Sequence, residues 1–230
     1  MSSTINSWLK STYRKKDCDL SVTDFTKPTY QLWVKLNFGE DVEKSDLVSF
    51  KSFLGSALHK AIENTDEDGV IREFSWIKSL PDGTKIGGTC DELRWRYSIN
   101  KWRLGDIKLK GVYVTKKFLE GGEEQNKEVL QLSAYRWLFD GMFDIDDKAV
   151  IYLFVNGHTA KEKFPEYQEV WLDLLPTHIV QEYIQGKLAQ AKAKTEPIKD
   201  CPTWLCGYCE YSSLCPTKTR KAQEGFSDET

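Results

Sequence analysis

Long apolar runs are missing from this 230-residue sequence. No stretch approaches the 18 or so residues that a membrane-spanning helix needs. The amino-terminal "MSSTINSWLKSTYRKKDCDL" lacks the apolar core of a signal peptide, so a cytoplasmic protein without a membrane partner is expected. An excess of one charge is missing as well. Thirty-two basic against 35 acidic residues leave a net charge of −3, which excludes coating of nucleic acid through global charge. A local basic groove remains open. There is no helicase-type phosphate loop, no internal repeat and no low-complexity tract. Otherwise the composition is that of an ordinary globular chain, 40% apolar and long enough to bury a real core.

The six cysteines are unevenly spread. Cys18 and Cys90 stand alone and read as small buried hydrophobes. Cys201, Cys206, Cys209 and Cys215 fall within fifteen residues, in a C-x4-C-x2-C-x5-C pattern. In a reducing compartment such crowding favours metal ligation over disulfides. One short pair is fewer than the two common in structural zinc sites, and iron–sulfur clusters also use four thiolates. Both metals stay open on spacing alone.

Along the chain, "SVTDFTKPTYQLWVKLNFG" reads as an aromatic-rich helical segment ending at Gly39. In "SFLGSALHKAIENTDEDG" the apolar residues Phe53, Leu54, Ala57, Leu58, Ala61 and Ile62 recur three and four apart, the mark of a helix. From residue 70 the period becomes strand-like. "VIREFSWIKSL" leads into a Pro81-Asp82-Gly83 turn, and "KIGGTCDELRW" and "WRLGDIKLKG" follow as a hairpin joined by "RYSINK". "GVYVTKKFLEGGEEQNK" reads as a loop, "EVLQLSAYRWLFDGM" as a helix, and "KAVIYLFV" as a central strand. "YQEVWLDL" is a further strand, and "PTHIVQEYIQGKLAQAKAK" a long helix with proline in its first turn. The expected fold is α/β, a mixed central sheet flanked by helices, with a cysteine-rich metal-binding segment behind it.

The hairpin carries the chemistry. Alternation puts Asp106 and Lys108 on one face of their strand, and Asp91 can lie beside them if the register agrees. Two carboxylates and an ammonium suit a hard divalent cation, Mg²⁺ or Mn²⁺, together with a substrate phosphate. Glu92, next to Asp91, should point to the other face. An acid and a lysine two apart also occur on solvated strands, so the pair alone decides nothing. Gly55, His59 and Glu63 share one helical face, and His59 can supply a nitrogen ligand. Gln131 and Tyr135, four apart on a helix, could contact a phosphate or fix the lysine.

Taken in order, "GSALHKAIE", "GGTCDEL", "LGDIKLK" and "QLSAY" resemble the motif series of the PD-(D/E)XK nucleases, in particular their RecB-like branch, over residues 21 to 215. The resemblance implies a restriction-endonuclease-like core over 21–200, a polar arm over 1–20, a metal-binding segment over 201–215 packed on the same domain, and a polar tail over 216–230. It implies that His59, Asp91, Asp106 and the Ile107 carbonyl hold Mg²⁺ or Mn²⁺. Lys108 would be the catalytic lysine, with Gln131 and Tyr135 supporting it. "CGYCEYSSLC" resembles the carboxyl-terminal triplet of iron–sulfur nucleases of this branch, including CRISPR-associated ones. Those take a fourth cysteine from an amino-terminal segment, where this sequence has Lys27 before Pro28. Cys201 is the obvious substitute and Cys18 a remoter one, giving a [4Fe–4S] cluster on Cys201, Cys206, Cys209 and Cys215, or zinc.

Basic residues cluster at 13–16, 108–117 and 218–221. Lys110, Lys116 and Lys117 adjoin the acid–lysine pair and are candidate DNA phosphate contacts. The expected activity is a metal-dependent deoxyribonuclease, an exonuclease on single strands or DNA ends. It would be serving recombination, replication or CRISPR proteins of phage or cell. The alternative is a non-catalytic DNA-binding or assembly factor on the same scaffold.

Overall fold

Strand-period sequence between residues 70 and 111 folds as three long antiparallel neighbours. β1 (Leu20–Ser21) precedes them, followed by β2 (Val70–Ser79), β3 (Lys85–Arg96) and β4 (Lys101–Gly111). In this computed structural model the described residues are 17–38, 50–63, 65–202, 205, 209, 211 and 215. β3 pairs with β2 antiparallel, with the two-residue β1 parallel, and with β4 antiparallel over Glu92↔Gly105 to Arg96↔Lys101. β5 (Lys148–Asn156) lies parallel to β4, and β6 (Tyr167–Asp173) antiparallel to β5. The result is a six-stranded mixed sheet in the order β1-β3-β4-β5-β6, with β2 also on β3. The apolar run of β5 is central as expected: Ala149, Val150, Ile151, Leu153 and Val155 are all buried.

Helices appear in chain order as α1 (Thr29–Phe38), α2 (Phe50–Glu63), α3 (Val112–Leu119), α4 (Glu123–Leu138) and α5 (Thr177–Lys192). Two parallel strands need a crossover, and α3 with α4 supplies it between β4 and β5. Here the sequence expectation fails. Residues 111–127 are not a loop but hold α3 and the first turn of α4. β-Branched Val112, Val114 and Thr115 depress helix propensity, yet Thr115 and Phe118, three apart, are fully buried, so packing overrides it. Gly121 and Gly122, at φ 79° and 99°, break the chain between the helices, and Glu123 and Glu124 begin α4 at the positive end of its dipole. The aromatic-rich segment at 21–39 is likewise split at Pro28. Val22–Thr26 is a 3₁₀ helix, and α1 starts one residue beyond the proline.

The chain divides into two compact units. One takes in Met1–Thr26 and Val48–Gln181, hence the sheet, α2, α3 and α4. The other takes in Lys27–Leu47 and Glu182–Thr230, with α1 and most of α5. In this second unit the Asp200 carboxylate accepts the Thr29 and Tyr30 backbone N–H groups at 2.7 and 3.0 Å, capping α1 across 170 residues of sequence. Trp33 Nε1 donates to the Ala193 carbonyl at 3.0 Å, and Tyr30 Oη to Glu196 at 2.6 Å. Among the described residues, no helix is long and apolar enough to cross a membrane.

Lys187 in α5 is 7% exposed and donates to the Lys27 carbonyl and to Tyr183 Oη. Burial pushes its ammonium down to about 8, with Asp200 opposing. Between that value and the ordinary lysine value the unfolded chain binds a proton that the folded chain does not, so stability rises with pH across this window. Lys187→Met removes the effect. The denaturation midpoint of the unaltered chain should therefore gain on that of the variant between pH 7.5 and 9.5; a pH-independent difference would show that Lys187 is not held this way.

Candidate active site

The Glu92↔Gly105 register sets Asp91 at the end of the β3–β4 ladder, beside Asp106. Asp91 Oδ2 accepts the Ile107 backbone N–H at 2.7 Å, which ties the first acid to the strand that bears the second. From α2, His59 Nδ1 approaches Asp91 Oδ1 at 3.4 Å, and that carboxylate raises the imidazole against the opposing effect of burial. Asp106 is 3% exposed. Its Oδ1 receives Lys108 Nζ and Gln131 Nε2, both at 3.2 Å. Its Oδ2 lies 2.9 Å from the Lys108 ammonium, yet among the described residues no donor is aligned on it for a hydrogen bond.

α4 supplies the rest of the frame. Glu128, Gln131 and Tyr135 recur three and four apart on it, one helical face. Glu128 stands 3.4 Å from Lys108 Nζ and 2.8 Å from Lys110 Nζ. Burial pushes the Asp106 carboxyl up to about 7 even though Lys108 pulls it down. Burial alone would lower Lys108; Asp106 and Glu128 outweigh it and the ammonium moves up. The lysine therefore stays charged, and the acid is costly to ionise until further positive charge arrives. Burial raises Tyr135 well above the ordinary phenol, with Asp106 and Asp91 adding to it, so it remains a neutral donor.

Glu92 points to the other face, as alternation requires. Its carboxylate is 1% exposed and accepts from Arg72 Nη1 at 2.7 Å, Arg94 Nε at 2.9 Å and Tyr152 Oη at 2.6 Å. It has a structural role and no access to the acid–lysine pair.

The glycines of the two strand motifs are there for close approach. A Cβ on Gly88 would lie 2.7 Å from Tyr135 Cε1 and 3.0 Å from Leu138 Cδ2; one on Gly105 would lie 2.9 Å from Tyr152 Cε2. Gly88→Ala is expected to cost about 1–3 kcal/mol through overpacking and to dislodge Tyr135. Chemical denaturation measures the cost, and an unchanged midpoint would mean that α4 sits further from β3.

Of the predicted set, His59 on α2 meets Asp91 on β3, Asp91 is tied to β4 through the Ile107 N–H, and Asp106 on β4 meets Lys108 and Gln131, with Tyr135 one turn beyond Gln131 on α4. Lys110 differs from expectation. Its ammonium is paired with Glu128 and lies 5.4 Å from the Phe118 ring centre, whereas Lys116 and Lys117 are exposed on the last turn of α3. Two acids escaped sequence reading. Glu128 could have been found from its spacing to Gln131 and Tyr135. Glu73, on β2, offered no periodic signal, yet its carboxylate forms with His59 and Asp91 a group of ligand atoms all within 4.8 Å of one another. Cys90 is 1% exposed, packed as a small hydrophobe, with its thiol pushed up by burial.

The donors fit a hard divalent cation: oxygen and imidazole nitrogen, partly buried, with the Asp106 Oδ2 lone pairs unserved by any aligned donor among the described residues. In the second unit Cys201, Cys209 and Cys215 are in no disulfide, and Cys209 Sγ accepts Gln31 Nε2 at 3.2 Å. Cys206 and the basic clusters at 13–16 and 218–221 lie outside the described residues.

No curated protein matches this sequence. Among solved structures, the crystal structure of SSO0001 is similar in fold, with a TM-score of 0.61 over 94% of this chain and 96% of that one, at 18% identity. The profile of the PD-(D/E)XK nuclease superfamily matches residues 7–216. Nine-tenths of the sequence is covered by that match, and the sheet presents an acid, an acid–lysine strand and a supporting helix. The chain belongs to the PD-(D/E)XK nuclease superfamily.

Proposed function

We infer that the protein is a Mg²⁺- or Mn²⁺-dependent deoxyribonuclease of the RecB-like branch, an exonuclease that hydrolyses phosphodiester bonds at DNA ends or in single strands. The observation that carries this reading is the Asp106–Lys108 pair, whose carboxylate is buried beside Asp91 and held by Gln131. His59, Asp91, Asp106 and the Ile107 carbonyl would hold the cation. A cation bound by such residues lowers the pKa of water and neutralises charge on a phosphoryl oxygen. The Lys108 ammonium, kept charged by Asp106 and Glu128, stands ready to offset negative charge that develops on the attacked phosphate. Gln131 holds the Asp106 carboxylate and Tyr135 backs Gln131 from the next turn of α4, so little reorganisation of that acid is needed during reaction. Exposed Lys116 and Lys117 are suited to phosphates further along the strand.

Cys201, Cys206, Cys209 and Cys215 are proposed to carry a structural [4Fe–4S] cluster, with zinc the competing occupant. The amide donated to Cys209 by Gln31 suits a ligated thiolate. Iron and sulfide analysis with a visible absorption spectrum of anaerobically purified protein separates the two metals.

Labelled single- and double-stranded DNA, with free or blocked ends, should be cut only when Mg²⁺ or Mn²⁺ is supplied. Blocked ends should protect the substrate. Asp106→Ala should lower the rate by about 10³-fold or more, since it removes a cation ligand and the counter-ion of Lys108. Cleavage by this variant at the original rate would refute the assignment. Tight binding of DNA without turnover in either metal would instead establish the non-catalytic assembly factor.

A further inference from the structure

We propose that the sheet face turned away from Asp106 and Lys108 carries a nucleotide site, where Arg72 and Arg94 receive a phosphate and aromatic side chains of β5 and β6 receive a base. The Glu67 carboxylate occupies the phosphate position as an internal stand-in that the ligand displaces. No cation and no part of the acid–lysine pair enters it, so it stands apart from the nuclease reading.

Among the described residues, a cavity of about 300 Å³ opens on this face. Small-molecule sites span roughly 300–1,000 Å³, so there is room for one nucleotide and none for a duplex. Strand register builds the apolar wall. Ile107 of β4 is the register partner of Tyr152 on β5, and Phe154, two residues on, is the partner of Tyr167 on β6. Ile62 of α2 lines the cavity as well. The Phe154 and Tyr167 rings lie 4.9 Å apart between centres, and Tyr167 is exposed, so part of this aromatic surface is open to a planar ligand. Stacking of this kind accepts any base, since each has a π-face.

The charged end is made by two guanidiniums. Arg72 and Arg94 line the cavity, and both converge on Glu67. Arg94 donates through Nη1, and through Nη2 at 2.9 Å, while Arg72 Nη2 stands 3.4 Å away. The two acids these arginines hold differ in kind. Glu92 is buried and serves three donors, so it stays in place. The Glu67 side chain is 47% exposed, in the stretch between α2 and β2 that belongs to no helix or strand. Water screens such a pair, and its carboxylate can be exchanged at small cost. Arg72 also keeps Nε buried and without an acceptor among the described residues. A monophosphate brings more negative charge and more acceptor oxygens than a carboxylate, and guanidinium planes match it with paired N–H bonds. Asp66 and Asp68, on either side of Glu67, repel an incoming anion. Affinity is therefore modest in the unaltered chain and rises when one of these charges is removed.

The test is isothermal titration of the full chain with deoxyadenosine monophosphate in EDTA, where no cation can recruit it to the acid–lysine pair. Deoxyadenosine and inorganic phosphate, the two halves of the ligand, should each bind more weakly than the whole. Glu67→Gln should tighten binding about fivefold by removing the competing carboxylate, a gain that misfolding cannot produce. Tyr167→Ala should weaken it about tenfold through lost stacking. Oligonucleotides phosphorylated at the 5′ end, the 3′ end or neither, followed by fluorescence anisotropy, separate the two sources of this chemistry. Tightening by Glu67→Gln confined to a phosphorylated end assigns the site to strand termini, and tightening of the free monophosphate assigns it to free nucleotides. Binding of neither by the unaltered chain or by Glu67→Gln overturns the proposal. So does binding that both substitutions leave unchanged, since the nucleotide would then sit elsewhere.

Discussion

Lys108→Met should cut DNA about 10³-fold more slowly than the unaltered chain at saturating metal. The ammonium is the cationic side chain held directly against the buried Asp106 carboxylate, at 2.9 Å, and it is fixed from a second side by Glu128 at 3.4 Å. Methionine keeps the aliphatic stem and its packing but supplies no charge to the attacked phosphate. It also leaves Asp106 and Glu128 facing each other without the cation between them. Asp106 then holds a proton more tightly, so metal binding in the variant should shift to higher pH. Lys108→Arg keeps the charge but not the compact point geometry, and should recover only part of the rate. Single-turnover cleavage of end-labelled DNA at several pH values reads both effects. A Lys108→Met protein within tenfold of the original rate would show that this ammonium does not meet the phosphate.

Glu92→Ala should unfold some 10 °C earlier, with far less effect on cleavage at low temperature than Asp91→Asn. Glu92 is buried under Arg72, Arg94 and Tyr152, and Arg94 also pairs with Glu67. Deleting the acid strands these cations in a partly desolvated setting, a loss on the order of 3–5 kcal/mol, and each kcal/mol moves the melting temperature of a chain this size by roughly 2–4 °C. Burial by itself would raise the Glu92 carboxyl, but Arg94, Tyr152 and Arg72 together hold it below the usual glutamate range. Its folded value lies beneath its unfolded value, so its contribution is complete at neutral pH and fades as pH falls through the acid range. Thermal melts at pH 7 and pH 4 should therefore differ less for Glu92→Ala than for the unaltered chain. A melting temperature within about 2 °C of the original at pH 7 would contradict the buried network. Neighbouring acids are thus divided between two faces, Asp91 toward His59 and the strand of Asp106, and Glu92 toward Arg72, Arg94 and Tyr152.

That division was already legible in the sequence, because adjacent strand residues point to opposite faces whatever the fold. The same kind of local rule exposed the helix of His59 through its three-and-four spacing, the Asp106–Lys108 pair through its spacing of two, and Gln131 with Tyr135 through its spacing of four. These features repeat within one or two turns of chain, so sequence order alone encodes them. Glu73 and the occupation of Lys110 were not legible in this way. Lys110 meets Glu128 across 18 residues, and Glu73 meets His59 only once β2 has paired with β3 and α2 has packed nearby. The helix at Val112–Leu119 was hidden for a related reason: β-branched residues argue locally against it, and only burial of Thr115 and Phe118 makes it form.

Periodicity in the chain determined which side chains could share a face. Which faces meet was decided by strand register and helix packing, since a side chain's partner across the sheet depends on distances that no neighbouring residue records. The proposed cation centre draws its donors from several elements at once, and so its candidate members come together only in three dimensions.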